Sequence, residues 1–138
     1  MGAGYSTRSL VAKLGIKAGA TIAIVGAPPG FARVLGALPS GVRQRRAVRG
    51  PLDHLHFFTA RRAELERRFP ALERALAPAG ALWISWPKGS SGVATDLTED
   101  VIRAVGLAHR LVDVKVCAVD EVWSGLKLVR RLKDRVHL

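Results

Sequence analysis

Lys88, Ser90, Ser91, Thr95, Asp96 and Thr98 crowd into a short stretch behind Trp86, just ahead of the run Leu97 to Leu107. A lysine with two serines at the start of a helix can bind a phosphate or a carboxylate. The same composition also suits an ordinary turn, with Lys88 solvated and Thr95 or Asp96 capping the helix. Asp120, Glu121 and Trp123 form a second polar group, where two carboxylates could do acid–base work or simply make an acidic turn. His54 and His56, two apart in a strand, share a face, while Asp53 points the other way and Cys117 is distant in sequence. They read as partly buried histidines without a metal. No Gly-x-Ser-x-Gly elbow, P-loop or Cys-x-x-Cys occurs, so no catalytic residue and no cofactor is assigned from these groups.

The elements that must position them follow from periodicity. A helix is expected from Ser6 to Leu14, with Ser6 or Thr7 as N-cap and Gly15 at its end. The β-branched run Thr21–Val25 fits a strand buried on both faces. Phe31 to Leu38 reads as a short helix and Val42 to Val48 as a basic edge strand. Leu52–Thr59 is a second strand, and Ala60 to Leu76 a helix that Pro70 should kink or split. Ala77 to Gly80 reads as a turn, Ala81–Trp86 as the third buried strand, and Leu97 to Leu107 as the next helix. Trp83 and Trp86, at i and i+3, should face opposite sides of their strand, one in the core and one walling a pocket or interface. Val112–Val119 and Leu126–Leu132, on either side of Asp120–Gly125, predict an antiparallel hairpin.

Strands alternating with helices predict one α/β domain over residues 1–138: three layers around a mostly parallel sheet, closed by the C-terminal antiparallel hairpin. That order resembles the Rossmann-like methyltransferase core, shortened by one α/β unit. In such sheets ligands sit at the carboxyl ends of the strands, which here bring together Gly26–Gly30, Thr59–Arg61 and Pro87–Asp96. The first loop has glycines at 26 and 30, but Pro28 and Pro29 remove amide donors that a phosphate cradle needs. The acid that would hold a ribose is replaced by Arg43, Arg45, Arg46 and Arg49.

The chain has 138 residues, 49% of them apolar, enough for one hydrophobic core. No apolar run reaches the roughly 20 residues of a membrane span, and no signal peptide is evident, so a cytoplasmic protein is expected. A single cysteine leaves no internal disulfide. Net charge is +11, and 16 of the 22 basic residues are Arg. The charge suits an anionic partner, or reflects codon usage in a GC-rich genome. It clusters at Arg43–Arg49, Arg61–Arg68 and Lys127–Arg135, but aromatics that could stack on bases are not interleaved.

Several long motifs carry a family likeness. Gly4–Ser6, Leu10–Lys17, Leu82–Lys88, Thr95–Val101 and Val112–Val129 resemble the bacterial domain-of-unknown-function family numbered 3052, over about Gly4 to Arg130. The resemblance implies a compact bacterial domain and transfers no catalytic residue; Gly41 to Pro51 matches least. The reading that follows is a non-enzymatic binding or regulatory module recognising a small anion or a protein partner. Gly26, Gly30, Trp86, Lys88, Ser90, Ser91, Asp120, Glu121 and Trp123 are its candidate ligand-binding residues. A divergent S-adenosylmethionine-dependent methyltransferase is the first alternative and a nucleic-acid binder the second. A homodimer is also open.

Overall fold

The computed structural model describes residues 8–135. Its elements run α1 (Leu10–Leu14), β1 (Thr21–Val25), α2 (Phe31–Leu35), β2 (Arg43–Arg45), β3 (Leu52–Phe58), α3 (Arg62–Arg74), β4 (Leu76–Pro87), α4 (Glu99–Ala108), β5 (Leu111–Ala118) and β6 (Trp123–Arg130). The strands form one six-stranded sheet in the order β2-β1-β3-β4-β6-β5. The first four are mutually parallel, β6 lies antiparallel to β4, and β5 returns antiparallel to β6. This is the expected Rossmann-like α/β sheet with its closing hairpin.

Crossovers of one hand place connections that travel in opposite directions along a sheet on opposite faces. The path from β1 to β2 runs one way; those from β3 to β4 and from β4 to β5 run the other. Accordingly α2 joins α1 on one face, where Val11, Leu14, Phe31, Leu35 and Trp83 pack together. The helices α3 and α4 cover the other face with Leu65, Phe69, Leu72, Ile102 and Val105, against Trp86. The two tryptophans do face opposite ways, and both belong to the core. Residues 46–51 carry β2 to β3 without a helix, and Val48 packs on the α3 side.

Several boundaries differ from expectation. Helix α1 starts later, capped by Ser9, whose hydroxyl accepts from the Ala12 N–H at 3.1 Å; Ser6 and Thr7 lie outside the described residues. Helix α2 stops at Leu35, and the edge strand β2 is only three residues long. Helix α3 is a single helix through Pro70. The carbonyl of Glu66 that loses its partner belongs to an exposed residue, so water can satisfy it. The expected turn Ala77–Gly80 is instead the beginning of β4. There the pairing with β3 shifts register between Leu52 and His54, and a Cβ on Gly80 would lie 2.4 Å from the Leu52 carbonyl oxygen. Only glycine allows that approach. Arg130, 5% exposed, ties the end of β6 to this corner. Its guanidinium donates to the Glu73 carboxylate at 2.7 Å and to the carbonyls of Glu73 and Ala77.

Candidate functional site

The carboxyl ends of β1 and β3 are neighbours, yet the chain leaves β1 toward β2 and leaves β3 toward β4. Such a reversal opens a crevice where open α/β sheets bind ligands. Here the crevice itself is filled. Gly26, at φ +73°, folds over the end of β3, and a Cβ on it would sit 2.7 Å from the Phe58 carbonyl oxygen. Beneath it Phe58 meets Phe31 edge-on at 4.9 Å and Trp123 at 5.3 Å. The free space lies beside the loop, in a cleft of about 350 Å³ between Gly26–Gly30, α2 and β2. Ile24, Pro28, Phe31, Leu35 and Leu38 give it apolar walls, and Gln44 is its polar side chain. Gly30, at φ +82°, borders it with nothing within 4 Å of where a Cβ would be.

The other loops of this edge are bound to one another. The Lys88 N–H donates to the Val122 carbonyl at 2.7 Å, joining the polar loop to the hairpin turn. The Thr95 hydroxyl donates to the Ala60 carbonyl at 2.6 Å, and the Asp96 carboxylate accepts from the Arg62 N–H at 2.7 Å. Asp96 therefore serves the start of α3, and Thr98 caps α4, accepting from the Val101 N–H at 3.2 Å. The helix cap expected at Thr95 or Asp96 is three and two residues too early. Ser91 donates to the Lys88 carbonyl at 2.7 Å and accepts from the Val93 N–H, which is turn chemistry. Asp120 accepts from the N–H groups of Val122 and Trp123 at 2.8 and 2.7 Å, fixing the hairpin turn.

Of the residues singled out in sequence, Gly26, Gly30, Lys88, Ser90, Ser91, Asp120, Glu121 and Trp123 all reach the carboxyl edge. Gly30 borders the cleft; Lys88 and the Asp120 turn meet on the far side of β3. Trp86 is 7% exposed and packs in the core instead of walling a pocket. Sequence reasoning passed over Gln44 and over a pair at the end of β3, Thr59 donating to the Glu64 carboxylate. A threonine three residues before a helix with a glutamate five residues on is a signal that could have found the pair.

His56 and Ser85 look like a nucleophile and its base, with Nε2 and Oγ 2.6 Å apart. Both are fully buried, His56 stacks on Phe58 at 4.3 Å, and neither borders the Gln44 cleft. Burial, then the neighbouring His54, hold His56 well below the ordinary histidine value, so it stays neutral. No substrate can reach this pair. His54 and His56 are buried outright, deeper than the partly buried pair expected, and no group of three metal-ligating side chains occurs among the described residues. Burial also pushes the Cys117 thiol up, which keeps it protonated. No described helix is long and apolar enough to cross a membrane.

No family model matches the chain, and no curated protein matches it in sequence. Solved structures do match in shape. A SAM dependent methyltransferase from Aquifex aeolicus is 14% identical with a TM-score of 0.61, covering 86% of each chain. A precorrin-6y C5,15-methyltransferase from Geobacter metallireducens is 12% identical with a TM-score of 0.58, over 88% of this chain and 86% of its own. A magnesium protoporphyrin IX methyltransferase from Synechocystis, with bound SAH, is 14% identical with a TM-score of 0.57, over 88% and 78%. At such identities the likeness is one of fold, and the fold is that of the Rossmann-like S-adenosylmethionine-dependent methyltransferases.

Proposed function

We propose that this chain is a divergent methyltransferase-like protein that holds the adenosine half of S-adenosylmethionine in the cleft between Gly30 and Gln44 and acts on an anionic substrate. The observation that carries the reading is the position of that cleft, at the carboxyl end of β1 beside β2, next to the point where the chain reverses direction across the sheet. Its volume of about 350 Å³ falls within the range of small-molecule sites. The names of the structural neighbours support the same reading over a module without activity. The likeness to the family numbered 3052 is part of the proposal.

The residues fit the adenosine half in one way and depart in another. Apolar walls from Ile24, Leu35 and Leu38 suit a purine, and the Gln44 amide can donate to and accept from a ribose or base edge. No acid ends β2, so Gln44 takes over what a carboxylate would do, with a neutral group. When bound, S-adenosylmethionine supplies an electrophilic methyl group. Glu64, held by Thr59 just past the end of β3, is a carboxylate at this edge placed to accept a proton from an oxygen or nitrogen nucleophile. Arg46 and Arg61, both exposed after β2 and β3, draw an anionic substrate to the edge.

Calorimetric titration with S-adenosylhomocysteine tests this. Binding is expected in the wild type and about tenfold weaker in Gln44→Ala, the loss of one good hydrogen bond. No heat at millimolar ligand returns the chain to the reading of a binding module for a small anion or a protein partner.

A further inference from the structure

A second and larger cleft, about 550 Å³, opens at the opposite edge of the sheet, where β1 and β3 begin. Leu14, Ala18, Ala20, Ala81, Val114 and Val129 make its apolar walls, and Lys17, Lys127 and Arg135 bring positive charge to it. Lys127 stands directly across the β5–β6 ladder from Lys115. Like charges paired across strands destabilise a sheet. Among the described residues no carboxylate forms an ion pair with either lysine; the ion pairs there involve Arg62, Arg103 and Arg130. The Lys115 ammonium donates to the Lys13 carbonyl at 2.7 Å, a bond that leaves its charge uncompensated. Burial, then Lys115 and Lys17, push the Lys127 ammonium down from its ordinary value. The one acid in the wall, Asp53, has an oxygen committed to the Thr21 N–H at 2.9 Å.

A second, independent sign is His54, which belongs to the same wall, is 3% exposed, and has an Nε2 with no hydrogen-bond partner. A buried polar atom left unpaired costs stability unless something supplies its partner. Three features thus coincide in the wall of one part-apolar cavity: Lys17 with Lys127, which Lys115 faces across the ladder; Arg135; and His54, a buried residue with an unpaired ring nitrogen.

We propose that the Lys17–Lys127–Arg135 cleft is a binding site for a small organic phosphate, with the phosphate on the cations and the carbon skeleton on the alanine and valine walls. A dianionic phosphate matches several converging cations better than a single carboxylate. The site lies on the edge opposite the Gln44 cleft and stands or falls separately from the methyltransferase reading.

The test is titration of the whole chain with inorganic phosphate and with glucose 6-phosphate, at constant ionic strength, with glucose and chloride as controls. Saturable binding of glucose 6-phosphate is expected, about tenfold weaker in Lys127→Gln and in Lys17→Gln. Without ligand, Lys127→Gln should melt at a higher temperature than wild type, because the facing-lysine repulsion is gone. Higher stability together with lost binding is a combination that a purely structural lysine does not produce. Binding of S-adenosylhomocysteine should be unchanged in both variants. Absence of saturable phosphate binding, or equal affinity in wild type and both variants, overturns the proposal.

Discussion

Gly26 rests on Phe58 so closely that a β-carbon on the glycine would lie 2.7 Å from the phenylalanine carbonyl oxygen. The contact joins the first loop of the sheet to the end of its central strand and moves the open space sideways, toward Gln44. It also shows why a glycine stands there: the residue needs both φ +73° and the absence of a side chain. Gly26→Ala should therefore cost about 1–3 kcal/mol, from left-handed strain and the displaced Phe58 carbonyl. Urea unfolding measures this. A change under about 0.5 kcal/mol, the range of an ordinary surface substitution, would contradict the close contact.

The buried histidines make stability depend on pH. Burial, then the charge of Lys127, lower His54 from 6.5 to about 3, and His56 is also held well down. Well above pH 6.5 both are neutral in the folded and the unfolded chain, and they add no slope. Below it the unfolded chain takes up protons that the folded chain refuses, so stability falls as the pH drops toward the folded values. The slope approaches about 1.4 kcal/mol per pH unit for each histidine. Urea midpoints at pH 7.5, 6.5 and 5.5 should decline mainly over the lower interval, and His54→Gln should reduce that decline. A flat profile down to pH 5.5 would mean that the histidines are accessible to solvent.

Arg130 and Glu73 hold the far corner. The arginine is buried and its donors are spread over one carboxylate and several carbonyls, so removing it strands those acceptors. Arg130→Ala is expected to destabilise by about 3–5 kcal/mol, the range for breaking a buried pair. Glu73→Gln should cost less, because the neutral amide still accepts. Chemical denaturation of the two variants compares them directly; equal losses would point to charge pairing alone.

Asp96 and Thr98 cap different helices. Replacing either by Ala should cost about 1 kcal/mol. Hydrogen exchange separates them: Asp96→Ala should loosen the first turn of α3, and Thr98→Ala that of α4. Loss of protection in α4 from both would restore the cap expected from the sequence.

What the sequence made legible was local. Thr21–Val25 is a strand with the expected bounds because a β-branched run buried on both faces has few other uses. Trp83 and Trp86 fall on opposite faces because strand alternation demands it. What it hid was contact at a distance. Asp96 looks like a local cap, but its partner is the N–H of Arg62, a residue 34 positions away. The turn expected at Ala77–Gly80 became strand because Leu52 pairs with Leu76 beyond a register shift, which no window around Pro78 reveals. The candidate site divides likewise. The glycine loop was visible as a loop, whereas Gln44 mattered only once β2 was seen to flank it, and the second cleft unites Lys17 with Lys127 across most of the chain.

The most direct test of the central claim is a two-dimensional amide NMR titration of the labelled chain with S-adenosylhomocysteine. The account predicts saturable shifts at Ala27, Gly30, Leu38 and Gln44, with the amides around Lys17 and Lys127 unmoved. No shift at millimolar ligand, or shifts confined to the opposite edge, would contradict a nucleoside site beside β1.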